Sequence, residues 1–256
     1  MTPAANTGDA LGDTFSSIEL WEMGSAADIF RGSIGDDRVW GLGGNDLLEG
    51  RAGADQLFGG AGNDSILGGD GNDLLVGGLG EDRLDGGLGF DVASYAEAQA
   101  GVVADLALSA ANQGEALGDS YLGVEGLIGS GFDDTLAGDG QVNLLRGGAG
   151  NDWLEGRDGA DTLQGGAGDD TLIGGAGADT FIFEGGHDQV QDFQDGVDDI
   201  VLSTALWGGA APDVTGLLAT ATVTDTGISL DLGGGATLDI AGVFDASLLA
   251  DDILFL

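Results

Sequence analysis

The chain holds 256 residues, 53 of them glycine and two proline, with no cysteine and a formal net charge of −39, which excludes an ordinary globular core and any disulfide or zinc-thiolate framework. Six arginines and no lysine face 45 carboxylates, so little is available to release counterions from phosphates or anionic lipid heads, and neither nucleic acid nor a membrane surface fits as a partner. No apolar run is long enough for a membrane span.

Residues 1–31 read as a lead-in, with Asp9, Asp13, Glu19 and Glu22 where a cationic export signal needs Lys or Arg. From Gly32 the chain falls into nine-residue frames, and residues 32–94 make a first block of seven without an insertion. Its sixth positions are Asp37, Asp46, Asp55, Asp64, Asp73, Asp82 and Asp91, and its eighth are Val39, Leu48, Leu57, Ile66, Leu75, Leu84 and Ala93. Residues 95–128 break the period and read as a linker with lead-in strands. A second block, residues 129–191, places Asp134, Asn143, Asp152, Asp161, Asp170 and Asp179 sixth, and Leu136, Leu145, Leu154, Leu163, Leu172 and Phe181 eighth. Asp28 with Phe30, and Asp188 with Val190, extend the blocks outward in register. Residues 192–256 lose the glycine period, and alternation puts Ile228, Leu230 and Leu232 on one face, answered across Gly233, Gly234 and Gly235 by Leu238 and Ile240. That pattern is an antiparallel β cap over the open end of the repeats.

Each frame reads as a six-residue turn, G-G-x-G-x-D, followed by a three-residue strand whose middle side chain points inward. Glycine is required because so tight a turn puts residues at positive φ. One frame cannot bury its apolar residue alone, but two successive frames close a flattened coil, and stacked coils bury a continuous aliphatic file. The expected fold is therefore all-β, with two parallel β-roll (β-helix) blocks and the antiparallel cap. Stacking brings equivalent residues two frames apart to within roughly 4.8 Å of each other, so the aspartates form columns along the two edges of each block. Unit charges at that spacing repel by about 1 kcal/mol even in water, and by more against a low-dielectric wall. A hard cation between carboxylates reverses the sign, and the variable oxygen shell such turns offer suits calcium better than octahedral magnesium.

The frames "GGAGNDWLE", "GGAGDDTLI" and "GGAGADTFI" resemble the consensus of the repeats-in-toxin (RTX) family of calcium-binding nonapeptide-repeat proteins. The flanking "GDTFSSIELWEMGSAADIFRG", "GDSYLGVEGLIGSGFDDTLAG" and "DQVQDFQDGVDDIVLS" resemble family segments that precede or follow repeat blocks. The resemblance implies calcium held between turns two frames apart, by both sixth-position carboxylates, by carbonyls of positions two and four below, and by those of positions one and three above. Carried onto this sequence, Gly60, Gly62 and Asp64 pair with Gly77, Leu79 and Asp82, and Gly148, Gly150 and Asp152 with Gly165, Ala167 and Asp170. The other implied carbonyl donors are Gly35, Gly44, Gly53, Gly59, Gly68, Gly69, Gly71, Gly86 and Leu88 in the first block. In the second they are Gly147, Ala149, Gly156, Gly159, Gly166, Gly168, Gly174, Ala176 and Gly186. Counting such pairs gives about ten calcium ions. Phe132 and Gln141 replace the fourth glycine at the start of the second block, and Asn143 brings no charge there.

Competing readings fare worse. Collagen needs a three-residue period and proline, and an EF-hand needs flanking helices and a glutamate at position twelve. An ice-binding ladder has no regular outward face here, although Thr135, Thr162, Thr171 and Thr180 hint at one. His187 is the only histidine, so a triad is expected nowhere and His187 reads as an exposed turn residue. Trp40, Phe58 and Val76 make an outward stripe at ninth positions, which the interruption is expected to cover with Val102, Val103, Leu106 and Leu108. Asp192, Asp195, Asp198 and Asp199 offer a last calcium site, and the terminal "LLADDILFL" resembles a type I secretion signal.

The resulting expectation is a secreted, extracellular, noncatalytic calcium-binding protein that meets the type I secretion apparatus unfolded and folds on calcium outside. Two alternatives stay open: the carrier module of a larger extracellular protease, lipase or toxin with a fused upstream domain, and a structural or adhesive cell-surface protein that self-associates.

Overall fold

The computed structural model describes residues 20–209 and 212–256, so the part of the lead-in before Leu20, with Asp9, Asp13 and Glu19, lies outside the described residues. Contacts divide the chain into two compact units that meet in sequence between Ile128 and Gly129. Both are all-β and built from stacked parallel coils.

In the first unit one parallel sheet runs through Leu20–Glu22, Arg38–Gly43, Gln56–Ala61, Leu74–Leu79, Val92–Ser94 and Gly126–Ile128. The facing sheet runs through Ile29–Arg31, Leu47–Ala52, Ser65–Asp70, Arg83–Leu88 and Ser120–Leu122. Each repeat strand pairs with the strand two frames on, as in Val39↔Leu57↔Leu75. Inward eighth positions fill the space between the sheets: Phe30, Val39, Leu48, Leu57, Ile66 and Leu75 are all 0% exposed. Burial of this file, at roughly 25 cal/mol per Å2 of apolar surface, favours stacking of the coils.

The repeat strands are longer than expected. They run six residues, through positions seven to nine and on into one to three of the next frame, so that Leu42↔Gly60 and Gly43↔Ala61 pair as well as Val39↔Leu57. Only positions four to six make the turn. The extra pairing follows because the first three positions of one frame sit directly over those of the equivalent frame in the next coil, where their N–H and C=O groups find partners.

The interruption, residues 95–128, is more than a connection. It contains a loop with Val103–Asp105 and two 3-10 turns, and then Ser120–Leu122 and Gly126–Ile128 rejoin the two sheets of the first unit.

In the second unit one parallel sheet comprises Leu144–Ala149, Thr162–Ala167, Thr180–Phe183, Asp199–Leu202 and Ile253–Phe255. The other comprises Thr135–Ala137, Trp153–Asp158, Thr171–Ala176, His187–Val190 and Ala236–Ala241, and then turns antiparallel through Gly227–Gly233 and Thr222–Val223. This is the antiparallel cap: Ile228, Leu230, Leu232, Leu238 and Ile240 are buried on its inner face, while Asp231 and Asp239 face out. The terminal nonapeptide is docked rather than loose, with Ile253 buried and its strand paired to Asp199–Leu202.

Candidate metal centre

Two hydrogen-bond ladders order the turns. Within the repeats, sixth-position aspartates donate their backbone N–H to Oδ1 of the equivalent aspartate one coil on, as from Asp37 to Asp55 and Asp46 to Asp64 in the first unit and from Asp152 to Asp170 and Asp161 to Asp179 in the second, at 2.7 to 2.9 Å in these four. A second ladder runs the other way, from backbone N–H groups to fifth-position side chains one coil below: Asn63 to Asn45, Glu81 to Asn63, Phe90 to Asn72, Asn151 to Asp133, and Asp169 to Asn151. Sequence reading gave the fifth position no role, because Asn and Asp there look like ordinary turn formers.

The first ladder spends one oxygen of each carboxylate. The other, Oδ2, is buried and without a hydrogen-bond partner on Asp46, Asp55, Asp64, Asp73, Asp82, Asp91, Asp152, Asp161, Asp170 and Asp179. Burying a charged acceptor unpaired is among the costliest things a fold can do. The coil that starts each column avoids it: Gly24 N–H donates to Asp28, Ser33 N–H to Asp37, Ser130 N–H to Asp134 and Asp139 N–H to Asn143, in every case position two capping position six of its own turn. In the ten turns with an orphaned oxygen that cap is missing, and position two has a positive φ: Leu42, Arg51, Gly60, Gly69, Gly78, Gly87, Gly148, Arg157, Gly166 and Gly175. The match is one to one. Leu42, Arg51 and Arg157 adopt this backbone despite bearing a Cβ, at a cost of about 1–2 kcal/mol each, so the rotated N–H is imposed by the coil rather than allowed by glycine.

Position one completes the cradle. A Cβ on Gly59 would lie 2.2 Å from Asp64 Oδ2 and 2.7 Å from the Gly77 carbonyl oxygen of the coil above, so the orphaned oxygen and that carbonyl converge on the space glycine leaves. Gly50 repeats this with Asp55 and Gly68, and Gly156 with Asp161 and Gly174. Glycine is thus needed at position one for space, a reason separate from the positive φ of positions two and four. The carbonyls expected as donors from below do face upward: Leu42 O lies 2.4 Å from a Cβ on Gly60, and Gly44 O 1.7 Å from one on Gly62. The third-position carbonyls of Leu79, Leu88, Ala167 and Ala176 already accept N–H donors, from Gly62, Gly71, Gly150 and Gly159.

Among the described residues no three His, Cys, Asp or Glu side chains converge as a metal group, so any ion here depends on backbone carbonyls for most of its shell. That donor set, two carboxylates and several carbonyls, is all hard oxygen and fits calcium. Burial is the main force on these carboxyls, and it pushes Asp46, Asp64, Asp82, Asp91 and Asp161 up to about 6 and Asp55, Asp152 and Asp188 up to about 7. Backbone N–H donation works against the rise, and neighbouring carboxylates in the column add to it.

Elsewhere the expectations fare unevenly. Asp192 accepts from Gly174 and Gly175 N–H and Asp198 from Asp179 and Gln194 N–H, so both carboxylates are engaged by the last repeat coil. His187 is exposed, beside Thr237 Oγ1 at 2.9 Å. Trp40 and Phe58 stack with centroids 5.1 Å apart beneath the Arg38 guanidinium, and with Val76 they floor a cleft of about 320 Å3 whose rim includes Glu97, Gln99 and Glu115. The interruption does reach this cleft, but through Glu97, Gln99 and Glu115; the expected Val102, Val103, Leu106 and Leu108 do not line it, with Val102 buried, Val103 paired with Gln113 and Leu108 exposed.

Two carboxylates that sequence reading missed extend the columns. Asp119 Oδ1 accepts from Asp82 N–H at 2.8 Å, and Glu125 Oε2 accepts from Asp91 N–H at 2.9 Å. Their spacings of 37 and 34 hide them from a rule that looks two frames ahead. The available signal is a carboxylate two residues before an inward side chain, as with Asp119 before Tyr121 and Glu125 before Leu127.

Comparison with known proteins agrees with the periodicity. The family model described as the RTX calcium-binding nonapeptide repeat matches residues 24–57, 58–93, 128–163 and 155–190, together just over half of the chain. Among solved structures, the chain is similar to the R3 subunit of the mannuronan C5-epimerase AlgE6 of Azotobacter vinelandii, at 33% identity over 48% of this chain and 78% of that one, with a TM-score of 0.39. It is also similar to the extracellular lipase LipA of Serratia marcescens, at 22% identity over 89% of this chain but only 40% of the lipase, with a TM-score of 0.42. No curated protein sequence matches significantly.

Proposed function

The chain belongs to the RTX calcium-binding nonapeptide-repeat family, and we propose that its biochemical role is cooperative calcium binding that drives its own folding outside the cell, with no reaction of its own. The observation that carries this reading is the one-to-one match between ten orphaned carboxylate oxygens and ten left-handed second positions. An ion-free roll has no use for a buried, unpaired, strained set of acceptors; a cation supplies the missing partner. Seven of these oxygens, on Asp46, Asp55, Asp64, Asp73, Asp152, Asp161 and Asp170, lie beneath a repeat aspartate of the next coil, and these are the repeat-type sites. The sites expected on the pairs that start at Asp28, Asp37, Asp134 and Asn143 are left out of this count, because a backbone N–H already caps those side chains, and the bound charge offsets part of the net −39.

Bound calcium supplies positive charge and a flexible six-to-eight-oxygen shell. The chain's own contribution is placement. Oδ1 fixes each carboxylate on the coil below, Oδ2 is held off the backbone, and the glycine at position one leaves room for the carbonyl above. In the cytosol, where calcium is scarce, such a chain is self-repelling and stays threadable, which suits export through a type I apparatus; millimolar calcium outside folds it by linkage.

Calorimetric titration of the metal-stripped protein tests the reading. Between seven and about ten calcium ions should bind with steep cooperativity and magnesium should not substitute; binding of one or two ions without a folding signal overturns it. For export, deleting residues 248–256 should abolish secretion by a type I system while leaving calcium binding by the repeats in place.

A further inference from the structure

On the edge of the first unit formed by Asp37, Asp55, Asp73 and Asp91, the strict repeats end at Asp91. Its side chain nonetheless has the features of a turn with another coil above it. Asp91 is 0% exposed, its Oδ2 has no hydrogen-bond partner, and Gly87 at position two has a φ of +103°. What stands above is the interruption. Gly126 N–H donates to Asp91 O at 2.9 Å, the bond that position seven makes to position six one coil below, as Val92 does to Asp73. Glu125 therefore occupies the sixth position, and its Oε2 accepts from Asp91 N–H as a repeat aspartate would. Leu127, at the eighth, is 0% exposed above Ala93.

The carbonyl is supplied too. A Cβ on Gly86 would lie 2.0 Å from the Gly123 carbonyl oxygen and 2.6 Å from Asp91 Oδ2. One coil lower, a Cβ on Gly68 would lie 2.7 Å from the Gly86 carbonyl oxygen and 2.2 Å from Asp73 Oδ2. The shortened turn over residues 122–125 thus sets a carbonyl where a full nonapeptide frame would have put one, and the longer glutamate side chain makes up the reach. The geometry points to a calcium site that no repeat defines, formed by the Asp91 carboxylate below and by the Gly123 carbonyl and Glu125 carboxylate above. It rests on the calcium-binding reading of the repeats. The matching acceptor on the other edge, Asp119, is less open, because its Oδ2 takes a hydrogen bond from the Tyr95 hydroxyl at 2.8 Å.

The direct test is long-wavelength anomalous diffraction from crystals of the full chain grown in calcium chloride. A calcium peak within roughly 2.3–2.6 Å of Asp91 Oδ2, Gly123 O and a Glu125 oxygen is expected. Filled repeat sites with no peak there overturn the inference alone; no calcium peak at any turn overturns the proposed function instead. In solution, Glu125→Gln should lose one ion by native mass spectrometry while keeping the far-UV dichroism of the calcium form, and an unchanged ion count removes Glu125 from the site. Should that variant fail to fold, the diffraction result on the unaltered chain decides.

Discussion

The repeat coils and the C-terminal hairpin of the second unit are continuous in one sheet, with His187–Val190 pairing Ala236–Ala241, yet they place their carboxylates oppositely. In the coils Asp152, Asp161, Asp170 and Asp179 point inward and keep an unpartnered oxygen. In the hairpin Asp231 and Asp239 face solvent and the inner face is wholly aliphatic, with Leu230, Leu238 and Ile240 all 0% exposed. One element buries carboxylate oxygens without partners, while the other buries only apolar side chains. The hairpin strand Ala236–Ala241 pairs directly with the last repeat strand and so covers that end of the stack with an apolar face.

Substitutions should separate the two. Asp161 lends Oδ1 to Asn143 N–H, leaves Oδ2 unpartnered and donates its own N–H to Asp179, so it borders the turns on both sides. Asp161→Ala should cost about 3–5 kcal/mol of calcium-dependent stability, the range for breaking a buried charged pair, and lose at least one ion by native mass spectrometry. Leu230→Ala should cost about 3 kcal/mol in thermal unfolding at saturating calcium, as buried leucine truncations do, with the ion count unchanged. If Leu230→Ala also loses ions, the hairpin and the sites are not separable.

Acidity distinguishes them next. Burial raises the carboxyls of Asp152 and Asp188 to about 7 and Asp161 to about 6, so without ions the folded coils hold protons that an unfolded chain has already released. That contribution is fully present below about pH 4 and is lost as pH rises through 6 to 7. In chelator, β-structure should therefore increase on acidification from pH 7.5 to 4.5, and in calcium titrations at successively lower pH the midpoint calcium concentration should rise as protons compete for the same oxygens. A midpoint flat with pH contradicts the burial of these groups. The smallest effect is on the fifth-position ladder: Asn151 accepts from Asp169 N–H and donates to Asp133, and Asn151→Ala should cost about 1 kcal/mol with the ion count intact.

Much of this was legible in the sequence because the period is strict. Leu57 and Leu163, marked as inward by eighth position alone, are both 0% exposed, and the antiparallel pairing of Leu230 with Leu238 follows from simple alternation around three glycines. The cap on Asp37 from Ser33 was not legible, since nothing in a nonapeptide says that a column's first turn should bend its second position differently. Nor were Asp119 and Glu125, because spatial adjacency in a coil depends on where the chain closes, and the interruption inserts a loop before closing. The length of the strands was also missed: glycine at positions one and two reads as turn until the neighbouring coil supplies ladder partners.

The claim beneath all of this is that cations supply the partners the orphaned oxygens lack. Far-UV circular dichroism of the full chain at pH 7.5 tests it directly, in chelator, then against calcium, then against magnesium. The account predicts loss of the β signal in chelator, a steep return with calcium, and no return with magnesium; a chelated protein already carrying the full β spectrum would contradict it.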